Sequence, residues 1–116
     1  MPKPIFFRIF VLNWANPKST MMQQKFYQDF AAWLDRWLQQ NVGNEPAKLR
    51  SQLPADLMTG DLLFIAVARV FTFICRQCSY HAVTWGKIPP QQKTADLFHC
   101  SRWKIARAIK KGNKLM

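Results

Sequence analysis

The chain has 116 residues, a formal net charge of +11 and 49% hydrophobic residues, among them five Trp and nine Phe. This length fits one compact domain and excludes two large independent ones, and the many large apolar side chains exclude a disordered polycation. A charge surplus of this size favours a polyanionic partner, with nucleic acid as the first candidate.

The N-terminal segment from Ile5 to Leu12 is rich in Phe, Ile and Val and is followed by an Asn- and Pro-containing cluster. This composition predicts a strand or an extended arm. Arg8 interrupts the apolar run and no cleavage site of small residues follows, so we expect no signal peptide and a cytoplasmic protein.

The first predicted helix begins near Ser19 or Thr20, either of which can cap it, and continues to about Asn41 before Gly43. Apolar residues recur along it at spacings of three and four: Phe26, Phe30, Trp33, Leu34, Trp37 and Leu38. We interpret this aromatic stripe as the inward face of a core helix, with a ligand groove or a docking face for a partner helix as the alternatives.

Two further helices are predicted in the middle of the chain. Pro46 begins a short polar helix that ends near Leu53, and a central buried helix extends from Asp61 to Gln77. The apolar stretch in the second is interrupted by Arg69 and is shorter than the roughly 20 residues of a membrane span, so we expect no membrane contact. The Gly- and Pro-containing segment 85–90 then separates a helical body, residues 1–90, from residues 91–116.

Residues 93–116 hold seven Lys and Arg against one acidic residue, Asp96, and so concentrate the positive charge at this end. Small Ala95 suits a helix crossing, Leu97 or Phe98 supplies an apolar anchor, and Ser101 suits the cap of a second helix. An apolar stripe then recurs at Ile105, Ala108 and Ile109. This pattern predicts a helix-turn-helix over residues 91–112, with His99 and Cys100 in the turn.

Over this window, the last quarter of the chain, the sequence resembles the helix-turn-helix of phage Cro-type repressors. Lys93-Thr94-Ala95 matches the opening of the first helix, Ile105 the buried centre of the recognition helix, Ala108-Ile109 its second turn, and Gly112 its exit. His99 occupies the turn position usually given to Gly. The β-hairpin with which Cro-type proteins dimerise has no counterpart, so we expect a homodimer through residues 1–90.

The resemblance implies roles for individual residues toward double-stranded DNA. The positions that face or adjoin base edges hold Ser101, Arg102, Trp103 and Arg107. Phosphate contacts are expected from Gln91, Lys93, Lys104, Lys110, Lys111 and Lys114.

Cys75, Cys78, His81 and Cys100 are conceivable zinc ligands, but one CxxC without a second matching pair is a weak pattern. We expect free thiols and neither a metal nor another cofactor. The few scattered carboxylates and the lack of a Gly-rich phosphate loop also argue against an enzyme.

The sequence therefore predicts a mainly α protein, a helical body with one possible N-terminal strand, that carries a C-terminal helix-turn-helix. Its expected function is sequence-specific DNA binding as a transcriptional regulator, most simply a repressor. The alternative is a small helical adaptor or structural protein whose basic tail binds RNA or acidic partners without sequence preference.

Overall fold

A computed structural model describes residues 20–53 and 60–116 of the protein. These residues form six helices and no strand: α1 (Thr20–Asn41), α2 (Pro46–Gln52), α3 (Asp61–Tyr80), α4 (Ala82–Trp85), α5 (Pro90–Leu97) and α6 (Arg102–Leu115). The protein is mainly α, as the sequence predicts. The strand expected over Ile5 to Leu12 and the cap residue Ser19 lie outside the described residues.

Helix α1 buries its aromatic stripe inside the protein. Phe30, Leu34 and Leu38 are almost fully buried, Phe26 and Trp33 are buried at the same face, and Trp37 is half-buried. Because side chains three and four residues apart share a helix face, this one stripe contacts the core along the whole helix. The interpretation of the stripe as an inward core face is confirmed.

Helix α3 is the central element, and it contacts α1, α4, α5 and α6. It extends three residues beyond the predicted end at Gln77, to Tyr80. By length and composition it is the one described helix that could cross a membrane, a property shared with core helices of soluble proteins. Its buried residues, which include Ile65, Ala66 and Val70, pack into the same core as the α1 stripe.

Polar contacts fix α1 against α3 at two points. The Arg69 guanidinium donates to both carboxylate oxygens of Asp35, with Nε–Oδ1 and NH2–Oδ2 distances of 2.8 and 2.7 Å. Two parallel charged hydrogen bonds of this kind set direction as well as distance. Nearer the start of α3, the Tyr27 hydroxyl donates to Asp61 Oδ2 at 2.7 Å. Burial first, and this hydrogen bond second, raise the pKa of Tyr27, so the phenol stays protonated as the donor.

The predicted break at 85–90 begins where a short helical turn, α4, ends, and its irregular part reaches α5 at Pro90. Trp85 at the end of α4 is buried, its ring lies edge-on to Phe73 with centroids 5.9 Å apart, and its indole N–H donates to Asn44 at 2.8 Å. Gly86 follows with φ +76°, a conformation that turns the chain toward α5 at little steric cost.

Helix α6 lies directly on α3, and this is the most extensive contact between two described helices. At Gly112 the backbones come so close that a Cβ there would overlap the main-chain carbonyl of Phe64. The resemblance to Cro-type repressors makes Gly112 the exit of the recognition helix. In this protein α6 instead continues to Leu115, and Gly112 is the buried crossing point.

The crossing predicts the effect of adding one methyl group. Gly112→Ala should lower the free energy of unfolding by about 1–3 kcal/mol, the usual cost of overpacking, although Ala is the better helix former by about 0.5–1 kcal/mol. Asn113→Ala, an exposed neighbour on the same helix, should change stability by less than about 0.5 kcal/mol. Urea unfolding monitored by circular dichroism measures both, and a stabilised Gly112→Ala protein would contradict the crossing.

Candidate nucleic-acid interface

The turn between α5 and α6 is a Schellman motif. The Cys100 N–H donates to the Ala95 carbonyl at 3.0 Å, and the His99 N–H donates to the Asp96 carbonyl at 3.3 Å. His99 has φ +56°, the left-handed conformation that this motif requires of the residue after the helix. Cys100 and Ala95 also belong to one apolar cluster, which is the contact that usually accompanies the motif.

Small and apolar side chains seat the two helices on α3. Ala95 and Ile105 are almost fully buried and meet Val67 of α3 in one cluster. Thr94 beside them has no exposed surface, and its hydroxyl donates to the Pro90 carbonyl at 2.8 Å, so this buried polar group is satisfied. The predicted small residue at the crossing and the predicted buried centre of the second helix are both confirmed.

Two hydrogen bonds define the start of α6. The Ser101 hydroxyl accepts from the Lys104 N–H at 3.2 Å, which confirms the predicted cap. The Gln91 side-chain amide donates to the Arg102 carbonyl at 3.0 Å and so joins the first turns of the two helices. Gln91 therefore lies beside the candidate base-reading residues, but one of its two amide protons is engaged within the protein.

The opposite side of α6 faces solvent. With about 100° of rotation per residue, side chains at spacings of four, three and four lie in one line directly opposite Ile105. That line, which we call the α6 solvent face, consists of Trp103, Arg107, Lys110 and Lys114, and all four residues are exposed. Ser101, Arg102, Lys104 and Lys111 are exposed on its flanks.

Two cations of α6 are held over aromatic rings. The Arg107 guanidinium lies 4.8 Å from the ring centroid of Trp103, which is itself 67% exposed. The Lys111 ammonium lies 4.4 Å from the ring centroid of Phe64 on α3. Cation–π attraction of this kind orients the cation. Arg107 is therefore directed along the solvent face, whereas Lys111 is directed toward α3.

The electrostatic character of α6 is uniform. It carries six Lys or Arg and no acidic side chain. The acid nearest to it in the sequence, Asp96 on α5, accepts a hydrogen bond from the Gln92 side chain at 2.8 Å. Charges of one sign on one exposed surface add up to a field that extends about a Debye length, roughly 8 Å in physiological salt, into solvent. Such a surface attracts polyanions.

Lys93 is the predicted phosphate contact that lies apart from this surface. It is half-buried, and it lines a cavity with Leu49 and Trp85 on the side of α5 that faces the helical body. The side chains of α6 take no part in that cavity. The sequence alone does not show that Lys93 lies apart from the α6 lysines. Its location depends on which helices pack against α5, and this is set by the tertiary structure.

The zinc candidates do not come together. Within residues 20–53 and 60–116, no group of three or more His, Cys, Asp or Glu side chains could hold a metal ion. Cys75, Cys78 and Cys100 are free. Burial, and to a smaller extent Cys78, raises the pKa of the Cys75 thiol, which favours its neutral form.

Comparison of the chain with protein-family models, with curated proteins and with solved structures finds no significant match.

The left-handed conformation of His99 predicts how the turn responds to substitution. His99→Val should destabilise the protein by roughly 1–2 kcal/mol, because a β-branched residue strains this conformation. His99→Gly should be neutral or slightly stabilising, since the relief of strain is offset by about 0.5–1 kcal/mol of extra backbone entropy in the unfolded chain.

The second histidine of the chain is a matched control for these variants. His81 is exposed and has a negative φ of −134°, so His81→Val avoids the positive-φ strain and should lose less stability than His99→Val. Thermal unfolding of the parent and of the three variants gives the comparison. Equal losses in His99→Val and His81→Val would mean that the backbone at His99 is not constrained as described.

Proposed function

We propose that this protein is a sequence-specific DNA-binding transcriptional regulator, acting as a repressor, that inserts α6 into the major groove of double-stranded DNA. The observation that carries the proposal is the α6 solvent face: exposed cations and one exposed Trp, with no acid, on a helix joined to α5 by a Schellman turn. A helix of about 10–12 Å diameter matches the roughly 12 Å width of the major groove.

The proposed roles follow from position on α6. Arg107, on the solvent face, and Arg102, in the first turn, are the candidates for bidentate hydrogen bonds to guanine. Trp103 and Ser101 adjoin them and contact base edges. Lys104, Lys110, Lys111 and Lys114 contact phosphates, together with the remaining amide proton of Gln91. We do not include Lys93 in this surface, because its ammonium lies near Gly86 at the cavity.

We further propose that the protein acts as a homodimer through residues 1–90, because two linked recognition helices read half-sites one DNA turn apart. The aromatic stripe of α1 is used within the subunit and leaves that interface to other residues. Tyr80, Val83 and Ile88 are the large apolar side chains most exposed in the described part of this region. They lie at the end of α3, on α4 and just after it.

The same positive charge also suits the alternative, an adaptor protein that holds RNA or acidic partners by charge alone. Sequence preference separates the two functions, because counterion release acts on every nucleic acid alike. Selection of bound duplexes from a random pool, followed by affinity measurement on the enriched and scrambled duplexes at one salt concentration, decides between them.

Arg107 provides the sharpest variant. Arg107→Lys keeps the charge but loses the two-pronged donor geometry, so it should weaken binding to the selected duplex by roughly 1–3 kcal/mol and relax the preference at one base pair. Its affinity for scrambled DNA should stay unchanged. Fluorescence anisotropy over a range of salt concentrations measures both affinity and salt slope.

Lys114→Ala is the matched control, since Lys114 shares the α6 solvent face and makes no hydrogen bond or ion pair within the described residues. It should weaken binding to all duplexes alike and reduce the salt slope by about one. Lys111→Ala is less suitable, because it also removes the contact with Phe64. Parent-like binding of Arg107→Lys to the selected and scrambled duplexes alike, with Lys114→Ala weakened on both, would indicate charge-only binding.

The proposed dimer is tested by introducing a positive charge at Val83, the most exposed large apolar side chain of the described region. Val83, 99% exposed, should tolerate Lys in the folded subunit, but a desolvated charge at the interface should convert dimers to monomers. Ala47→Lys, on the exposed side of α2, is the control that should leave the dimer intact. Sedimentation equilibrium gives the masses, and a Val83→Lys dimer would place the interface elsewhere.

A further inference from the structure

A cavity of about 110 Å³ lies between the helical body and α5. Its apolar walls include Leu49 of α2, Ile74 of α3, Trp85 of α4 and Leu97 of α5. Leu49, Ile74 and Trp85 are buried residues of the core, so the floor of the cavity is fixed by the fold. One side of the cavity is formed by α5, and α5 is joined to α6 by the turn.

The size of the cavity restricts what could occupy it. It exceeds by several-fold the roughly 10–15 Å³ that one water molecule needs, and it is smaller than the roughly 300 Å³ of sites for drug-sized ligands. A molecule with one ring or a short branched chain matches this volume. The recess is open to solvent on one side, and Leu49, Ile74 and Trp85, each at most 4% exposed, form its floor.

The cavity also carries two cations without partners. Arg50 and Lys93 contribute to its lining, and no described carboxylate forms an ion pair with either of them. The Lys93 ammonium lies 3.9 Å from the position that a Cβ on Gly86 would take, at the edge of the cavity. Asp96 is the one acid in the lining, and it accepts a hydrogen bond from Gln92.

We propose that this cavity binds a small monocarboxylate with one apolar ring, the chemical class of benzoate. The ring would lie against Leu49, Ile74 and Trp85, and the carboxylate would accept hydrogen bonds from Lys93 and Arg50. Charge-assisted hydrogen bonds of this type are about twice as strong as neutral ones. Lys93 lies apart from the α6 solvent face and has no role in the proposed DNA contact, and this site gives it one.

Such a ligand would contact α5, α2 and α4 together, and its binding would stabilise the packing of α5 on the body. The regulatory meaning of this contact rests on the proposed function, because α5 carries the turn that holds α6. Ligand binding itself does not depend on DNA. A direct binding measurement therefore tests the cavity even where the DNA proposal fails.

The test is a titration of the full ¹⁵N-labelled chain with benzoate, monitored by amide chemical shifts, with inorganic phosphate and benzyl alcohol as parallel probes. Benzoate should bind saturably in the millimolar range, with shifts at Leu49, Ile88 and Leu97. Phosphate supplies charge without a ring, and benzyl alcohol supplies a ring without charge. Both should bind at least about tenfold more weakly.

Two variants identify the carboxylate partners. Lys93→Met keeps the length of the side chain and should weaken benzoate binding about tenfold, and Arg50→Gln should weaken it by a smaller factor because Arg50 is more exposed. Lys104→Met, with the same charge change on α6, should leave it unchanged. The parent-like amide spectrum of each variant shows that it is folded.

Three results would overturn the site. The first is an absence of saturable benzoate binding, and the second is equal weakening by Lys93→Met and Lys104→Met. The third is that benzoate and phosphate change the amide chemical shifts of the same α6 residues, which would indicate charge screening at the basic surface.

Discussion

Helix α6 rests on α3 with no side chain between their backbones at Gly112, and the arrangement of the C-terminal half depends on this contact. The close crossing restricts how α6 can turn about its axis, because a side chain at this point would overlap the Phe64 carbonyl. Rotation about the crossing is further limited by Ile105 at the other end of the contact, buried beside Val67. The side of α6 that faces solvent is therefore set by the core and not by the charges that it carries.

Those charges work against the helix that bears them. Arg107 and Lys111, and likewise Lys110 and Lys114, are like-charged pairs four residues apart, each of which destabilises a helix by about 0.2–0.5 kcal/mol. Arg102 lies at the positive end of the helix dipole. Burial of Ile105 and the contact with α3 offset these costs. Lys114, in the last turn, is favourably placed at the negative end of the dipole.

The sequence was sufficient wherever a local rule decides the structure. The period of the α1 stripe, Pro46 as a helix start, Ser101 as a cap and Ala95 at the helix crossing all follow from residue chemistry within a few positions. The turn was located although it holds His99 where Gly is usual, because the flanking pattern fixes its length.

Features that depend on distant partners were not predictable in this way. The resemblance assigns both Lys93 and Lys104 to phosphate contacts, and only the packing around α5 shows that Lys93 lies at the cavity instead of on the α6 surface. The resemblance to Cro-type repressors places Gly112 at a helix end, where Gly is common. Its position opposite Phe64 requires knowledge of α3. One signal in the sequence indicates a crossing. The basic amphipathic pattern continues for three residues after Gly112, to Leu115, so this glycine lies inside the helix and not at its end.

The stacking of Arg107 on Trp103 has a consequence for the thermodynamics of any complex that α6 forms. A free arginine side chain samples many rotamers, and immobilising it in a complex costs roughly 0.5–1.5 kcal/mol of conformational entropy. A guanidinium already resting on an indole ring has lost part of that freedom before the partner arrives. Binding through Arg107 should accordingly carry a smaller entropic penalty than binding through the unstacked Lys110, and the difference would prolong the lifetime of a complex more than it would speed its formation.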